Sequence, residues 1–211
     1  MARANREIEE IDASRFKAWG SALGRLHAAI ERHDGPALST RSTWSEHLGS
    51  IAAAIPEGNE AVRAELEEVR EALQGLPTDG ETYGLIHGDF ELDNLVWNGN
   101  AVAIMDFDDC AHPFYVADIA FALRDLFEEG FKGDDPRFVA FLRGYSMHHP
   151  LDPTYARIPL FLRMAKLTMY ARIVRALDFA EGSRPEWMAR LEQRFEELVT
   201  AYIGSLPTTS R

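Results

Sequence analysis

Asn98 and Gly99 separate two short, mainly apolar runs in the middle of the chain, residues 94–97 and 101–105. Asn-Gly is the strongest short-range signal for a two-residue turn, so this segment predicts a β-hairpin. A third short apolar run, residues 83–87, precedes the hairpin and is expected to form another short strand. The β content of the fold should therefore be small.

Most of the remaining sequence has the spacing of amphipathic helices, with apolar residues three and four positions apart. Asp12 is placed to cap the first helix, and Thr43 to Glu46 has the capping-box pattern of the second. Ser183 to Glu186 repeats that pattern near the end of the chain. The sequence predicts an α+β, mainly helical domain over residues 12–205, with a flexible segment at 1–11 and a tail at 206–211. The predicted helices are 16–30, 43–55, 62–73, 114–129, 135–147, 154–180 and 185–203.

Charge and composition exclude several classes of protein. The 34 acidic residues exceed the 22 basic ones, for a formal net charge of −12, which argues against binding of nucleic-acid phosphates. No apolar stretch approaches the roughly 18–20 residues of a membrane span, and the charged N-terminus lacks the apolar core of a signal peptide. Cys110 is the only cysteine, so a disulfide within the chain is excluded. We expect a cytoplasmic protein with neither nucleic-acid nor membrane partners.

The most informative polar residues lie around the predicted hairpin. Asp89 and Asn94 fall in the loop before it, and Asp106 follows its second strand. Carboxylate and amide oxygens in this arrangement suit Mg²⁺, which prefers a few such ligands together with water and phosphate. The alternative is that these aspartates only stabilise turns, as many loop aspartates do.

Two motifs resemble the catalytic core of the aminoglycoside phosphotransferase and choline kinase-like family. They are His87-Gly88-Asp89, with Asn94 five positions after the aspartate, and Ile104-Met105-Asp106-Phe107. Asp118-Ile119-Ala120 is similar to the helix that follows the metal-binding motif in that family. Leu23-Gly24-Arg25-Leu26-His27 resembles the helix that opens its C-terminal lobe. The resemblance implies the C-terminal lobe of a protein-kinase-like fold, with the small hairpin carrying both motifs.

The same resemblance implies a role for each motif residue. Asp89 would be the catalytic base that takes the proton of the substrate hydroxyl. Asn94 and Asp106 would hold Mg²⁺ against the phosphates of ATP. His87 and Asp118 would support the catalytic loop structurally.

Three further acidic residues are candidates for contact with the substrate or the metal. They are Glu91, inside the catalytic loop, and Asp108 and Asp109, after the second motif. The alternative is that they are solvated or cap nearby turns. The resemblance implies a small-molecule acceptor with a hydroxyl group. A negatively charged cleft attracts positive ligands, so the acidity suits a cationic acceptor; the alternative is that the acidity serves only solubility.

A kinase of this type also needs a glycine-rich loop and a strand lysine that binds the ATP phosphates. The only lysines are Lys17, Lys132 and Lys166, in two helical patterns and a glycine-rich turn. We therefore expect the N-terminal nucleotide lobe to be absent from this chain, and ATP to bind the chain alone weakly. Self-association is one way to cover the face that such a lobe would meet.

Three functions remain open from the sequence. The first is an ATP-dependent phosphotransferase that moves the γ-phosphate to a hydroxyl of an aminoglycoside, an amino alcohol or a related metabolite. The second is a non-catalytic binding or interaction module derived from such a kinase. The third, a metal-dependent phosphohydrolase, is the least favoured because the order of the motifs matches kinases.

Overall fold

The predicted hairpin is present as an antiparallel pair of strands, β1 (Leu95–Asn98) and β2 (Ala101–Ile104). Leu95 lies opposite Ile104, and Asn98 lies opposite Ala101. Gly99 has a φ of 60°, a left-handed conformation that glycine adopts without steric cost. The Asn-Gly signal therefore predicted the hairpin, whereas the register is set by Asn98 pairing with Ala101 as the last residue of β1.

The computed structural model describes residues 11–32, 41–99, 101–111, 113–151, 153–177 and 186–206. Within these ranges the structure is mainly helical, and the hairpin is the only sheet. No helix in the described ranges is both long and apolar enough to cross a bilayer. The helices are α1 (Ala13–Ile30), α2 (Trp44–Ala54), α3 (Glu60–Gln74), α4 (Tyr115–Ala122), α5 (Pro136–Tyr145), α6 (Ile158–Leu177) and α7 (Glu186–Ser205).

The helix ends agree with the sequence where the signal is local. Asp12 caps α1 by accepting a hydrogen bond from the backbone N–H of Arg15 at 2.9 Å, as predicted. The helix predicted over 114–129 is instead α4 followed by a 3₁₀ turn, Arg124–Phe127. Ser183, the predicted cap of α7, lies outside the described residues. So do the terminal segments, apart from Ile11 and Leu206.

The run at residues 83–87 does not form a strand. It makes two isolated bridges, Tyr83 to Phe114 and Ile86 to Ala111. The pairing is confined to these points because the partner segment turns at Pro113 and enters α4 directly afterwards. The predicted third strand is therefore replaced by an extended segment held at both ends.

The chain divides into two compact units, each described here by itself. One comprises the described residues of Met1–Trp44 and Leu76–Leu162, and the other those of Ser45–Gly75 and Arg163–Arg211. In the second unit, Arg163 binds the carboxylate of Glu65 with two hydrogen bonds of 2.7 and 2.6 Å. Every candidate site residue lies in the first unit.

Helices α1 and α5 of the first unit cross with their backbones in close contact. A Cβ on Gly20 would overlap the carbonyl oxygen of Phe141, and one on Gly144 would overlap that of Lys17. Trp19 packs against Phe141 beside this crossing, with ring centroids 5.5 Å apart. The absence of side chains at the two glycines therefore sets how closely the helices approach.

Candidate active site

Asp118, on the first turn of α4, holds the start of the predicted catalytic loop. Its carboxylate accepts the backbone N–H of His87 and that of Gly88, each at 2.9 Å, and its side chain is fully buried. Gly88 has a φ of 82°, and a Cβ there would overlap the carbonyl oxygen of Asp109. Only glycine fits this position without strain, so the loop has one well-defined path into Asp89.

The ring of His87 links the loop to the end of the hairpin. Its Nε2 lies 2.9 Å from the carbonyl oxygen of Met105, and its Nδ1 lies 3.3 Å from the backbone nitrogen of Asp89. Because a carbonyl can only accept, Nε2 carries the proton and Nδ1 accepts from the Asp89 N–H. The fully buried imidazole therefore positions residues on both sides of the hairpin.

Asp89 and Asn94 are in direct contact. The side-chain amide of Asn94 donates to the Asp89 carbonyl oxygen and to its carboxylate Oδ2, each at 2.9 Å. A short 3₁₀ turn, Leu92–Asn94, brings the amide back towards Asp89 before the chain enters β1. Since the amide nitrogen makes both bonds, the carbonyl oxygen of the Asn94 side chain is the end suited to a cation.

Asp106 lies where the hairpin meets the catalytic loop. The residue before it, Met105, donates its backbone N–H to the carbonyl oxygen of Asn94 at 3.0 Å and so joins the two motifs. The φ of 60° at Asp106 makes it the only described non-glycine residue with a positive φ. This conformation is uncommon and is found often at functional sites.

Asp108 and Asp109 are exposed in the turn after Asp106. Arg41 donates to the backbone carbonyl of Asp108 at 3.3 Å. Neither carboxylate is part of the hydrogen-bonded group formed by His87, Asp89, Asn94 and Asp118.

Arg124 is a site residue that the sequence analysis did not single out. It forms an ion pair with Glu91, and its Nη1 lies 3.9 Å from Oδ1 of Asp89. Burial, followed by a hydrogen bond with Asp89, raises the pKa of Glu91 from 4.5 to about 7, against the lowering effect of Arg124. The available signal was that Arg124 is the only lysine or arginine between positions 111 and 131.

His27 also reaches the site, from α1. Its Nε2 lies 3.0 Å from Oδ2 of Asp118, and neither side chain is exposed to solvent. Burial lowers the pKa of His27 below its usual 6.5 and outweighs the opposing effect of the Asp118 carboxylate. The motif that contains His27 was noted in the sequence, but its role as a partner of Asp118 was not.

The donor set around Asn94 and Asp106 fits a hard divalent cation. It offers an amide oxygen and an exposed carboxylate, and such oxygen ligands suit Mg²⁺ when phosphate and water complete the shell. Within the described ranges, no three His, Cys, Asp or Glu side chains are grouped to hold a metal by themselves. A site made here would therefore depend on ligands from the substrate.

Three solved structures have a fold similar to that of this chain. A similar solved structure is amicoumacin kinase hAmiN in complex with AMP-PNP, Ca²⁺ and Ami, with 24% identity and a TM-score of 0.70 over 93% of this chain and 62% of that one. Another is a microcompartment-associated aminopropanol kinase, with 20% identity and a TM-score of 0.63 over 92% and 62%. A third is a choline/ethanolamine kinase family protein from Mesorhizobium loti, with 16% identity and a TM-score of 0.55 over 92% and 69%.

These likenesses concern the fold, and the chain spans 62% of the length of the first two structures. No curated protein sequence matches it. The family model described as "Phosphotransferase enzyme family" (APH) matches residues 2–161, which include every motif residue discussed above. The chain belongs to the phosphotransferase enzyme family.

Proposed function

We propose that the protein transfers the γ-phosphate of ATP to a hydroxyl group of an aminoglycoside, an amino alcohol or a related small metabolite. The observation that carries this proposal is the pair formed by Asp89 and Asn94, on a loop that Asp118 holds at His87 and Gly88. Family membership and the kinase neighbours support it. The neighbour solved with AMP-PNP and Ca²⁺ supports the use of a nucleotide and a divalent cation.

Asp89 is the proposed catalytic base. Its carboxylate would accept the proton of the acceptor hydroxyl as the oxygen attacks the γ-phosphorus, a role that requires positioning more than unusual basicity. Asn94 fixes one carboxylate oxygen of Asp89 through its amide nitrogen. The other oxygen faces Arg124 at 3.9 Å, which leaves the carboxylate oriented before the acceptor arrives.

Asn94 and Asp106 are the proposed Mg²⁺ ligands, through the amide oxygen and the carboxylate. Bound Mg²⁺ would neutralise the charge that builds up on the transferring phosphate. The protein would present those two oxygens where the catalytic loop meets the hairpin. The backbone hydrogen bond between Met105 and Asn94 holds the loop and the hairpin together at that point.

Glu91 and Arg124 lie next to the base, at the position where an acceptor must approach. An acceptor with an ammonium group near its hydroxyl could replace Arg124 as the partner of the Glu91 carboxylate. Asp108 and Asp109 are exposed and remain candidates for further contacts with such a cation. The proposed acceptors are therefore alcohols that also carry an amine.

The test is a phosphotransfer assay on the purified protein with ATP, Mg²⁺ and a panel of amine-bearing and neutral alcohols. Asp89→Asn should lower transfer by about 10²- to 10⁴-fold, because it removes the general base. The matched control is Asp134→Asn, an exposed turn residue, which should transfer phosphate like the wild type.

Equal transfer by the wild type and Asp89→Asn would contradict the role of Asp89. Release of phosphate at the same rate with and without any acceptor would favour the phosphohydrolase. Binding of an acceptor without phosphotransfer would favour a non-catalytic module.

A further inference from the structure

A continuous chain of hydrogen bonds runs from Asp118 to Glu31, the residue that follows the C-terminal end of α1. From Asp118, the chain continues through the His27 ring, whose Nδ1 lies 2.9 Å from the hydroxyl of Tyr145. That hydroxyl lies 2.9 Å from Nδ1 of His149, and Nε2 of His149 lies 3.0 Å from Oε1 of Glu31. Five side chains thus connect the catalytic loop to the surface.

Four of the five side chains are shut off from solvent. His27 and Asp118 have no exposed area, and Tyr145 and His149 are each 1% exposed. The side chain of Glu31 is 34% exposed. Buried polar groups without partners are costly, so each proton in this chain must lie between a donor and an acceptor.

The direction of the first two bonds follows from the Asp118 carboxylate. It already accepts two backbone N–H groups, and an ionised carboxylate can only accept. Nε2 of His27 is therefore the donor to Asp118. The lowered pKa of His27 keeps its ring neutral, so Nδ1 must accept the proton of the Tyr145 hydroxyl.

The direction of the outer bonds follows from the carbonyl oxygen of Pro150. It lies 3.1 Å from Nδ1 of His149 and can only accept, so Nδ1 of His149 carries a proton. That proton is shared with the Tyr145 oxygen, whose own proton points to His27. One further proton must lie between Nε2 of His149 and Glu31, because two lone pairs would otherwise face each other at 3.0 Å.

We propose that Glu31, His149, Tyr145 and His27 form a positioning chain for the catalytic loop, in which Nε2 of His27 donates to Asp118 and the Tyr145 hydroxyl donates to Nδ1 of His27. The positioning chain ends in the bond from His27, the third hydrogen bond that the Asp118 carboxylate accepts. Asp118 in turn holds the backbone of His87 and Gly88. Its importance for catalysis rests on the proposed function, but its geometry does not.

The groups that face His149 come from three segments. Glu31 and His27 belong to the C-terminal part of α1, with the His27 ring centroid 5.6 Å away. The ring of Tyr115, on α4, makes an edge contact with His149 at 4.7 Å between centroids, and the ring of Tyr145, the last residue of α5, lies at 5.3 Å. Glu31 is the only carboxylate among these groups.

The first test is the protonation state of the two rings, read from ¹H–¹⁵N correlation spectra of the labelled protein at neutral pH. We expect His27 to carry a proton on Nε2 alone and His149 to carry one on Nδ1. Glu31→Gln should change the ring signals of His149 while leaving those of His27 unchanged. A proton on Nδ1 of His27, or none on Nδ1 of His149, would overturn the proposal.

The second test is the exchange of the His87 and Gly88 amide protons with solvent. Tyr145→Phe keeps the ring and removes only the hydroxyl, so it breaks the chain at its centre. We expect both amides to exchange about five- to tenfold faster, the equivalent of one lost hydrogen bond, while helical amides of α1 at Trp19 and Leu23 change less.

The matched control is the neighbouring His148, whose Nε2 bonds Ser21 at 3.0 Å on the surface. His148→Gln should leave the His87 and Gly88 amides unchanged. Equal acceleration of all amides in Tyr145→Phe would indicate a general loss of stability and would contradict a specific positioning role. Neither test measures activity. A failure of the proposed hydrogen-bonded chain can therefore be distinguished from a failure of the proposed function.

Discussion

The side-chain amide of Asn94 is bonded to the carboxylate of Asp89, five positions earlier in the chain, at 2.9 Å. The same amide nitrogen also binds the Asp89 backbone carbonyl. The proposed metal ligand therefore also orients the proposed base, and a single substitution should affect both.

Asn94→Ala removes both bonds to Asp89 and the amide oxygen proposed for Mg²⁺. We expect phosphotransfer to fall about 10- to 100-fold and to require more Mg²⁺ for half-maximal rate. Asp134→Ala, in an exposed turn, serves as control. An unchanged Mg²⁺ dependence would exclude Asn94 as a ligand.

Asp118→Asn should destabilise the first unit severely. The carboxylate accepts three hydrogen bonds, and an amide would turn an N–H towards one of those donors. We expect a loss of about 3 kcal/mol in the free energy of unfolding, measured by urea denaturation, since a buried donor loses its acceptor. Asp134→Asn should differ little from the wild type, and a similar loss in both would refute the argument.

Removal of Arg124 should raise the pKa of Glu91. In the wild type this pKa is raised from 4.5 to about 7, and Arg124 lowers it both by its charge and by a hydrogen bond. In Arg124→Met both lowering effects disappear, so the pKa should move above 7. A carboxyl titration followed by ¹³C NMR, without added metal, measures it. Arg137→Met, which affects a local pair with Asp135, should leave the Glu91 titration unchanged.

The stability of the protein should depend on pH through His27. Because its folded pKa lies below 6.5, the unfolded chain binds a proton in acid that the folded chain does not. The contribution of His27 is complete above pH 6.5 and decreases as the pH falls towards the folded pKa, by at most about 1.4 kcal/mol per unit.

His27→Gln cannot take up this proton, so its loss of stability below neutral pH should be shallower than that of the wild type. Urea denaturation between about pH 7.5 and 5.5 gives both slopes. His148→Gln should keep the slope of the wild type. Parallel curves for His27→Gln and the wild type would show that His27 does not contribute.

ATP should bind this chain weakly. None of its three lysines lies on β1 or β2, and two oxygen ligands hold Mg²⁺ poorly without phosphate. We expect a dissociation constant above about 1 mM, or less than about 4 kcal/mol of binding free energy, by calorimetry with Mg²⁺. Micromolar binding would mean that phosphate-binding groups exist in this chain that the sequence analysis missed.

The parts of the fold that could be predicted depend on neighbouring residues. The hairpin follows from Asn98-Gly99, and the start of α1 follows from Asp12, because turn and cap preferences act over a few positions. The run at residues 83–87 was misinterpreted as a strand because its partners, Ala111 and Phe114, lie about 25–30 positions further along the chain. Pairing at that distance leaves no local pattern.

The motif residues of the site could be proposed from a resemblance, but their partners could not. Arg124 resembles an ordinary solvated residue on a helix until the fold brings Glu91 to it. His27 and Tyr145 lie within apolar stripes, where a polar side chain gives no indication of what it will bind. Only the close crossing of α1 and α5 places their side chains together.

The crossing at Gly20 and Gly144 also bears on the order of events during folding. The bond from His27 to Asp118 spans 91 positions, and the bond from His27 to Tyr145 spans 118. Contacts between such distant residues form late, because the entropy of closing the intervening chain must first be overcome. The loop around Asp89 thus reaches its final form only after α5 has docked on α1, and a partly synthesised chain that ends before residue 145 would have the complete motif without an ordered site.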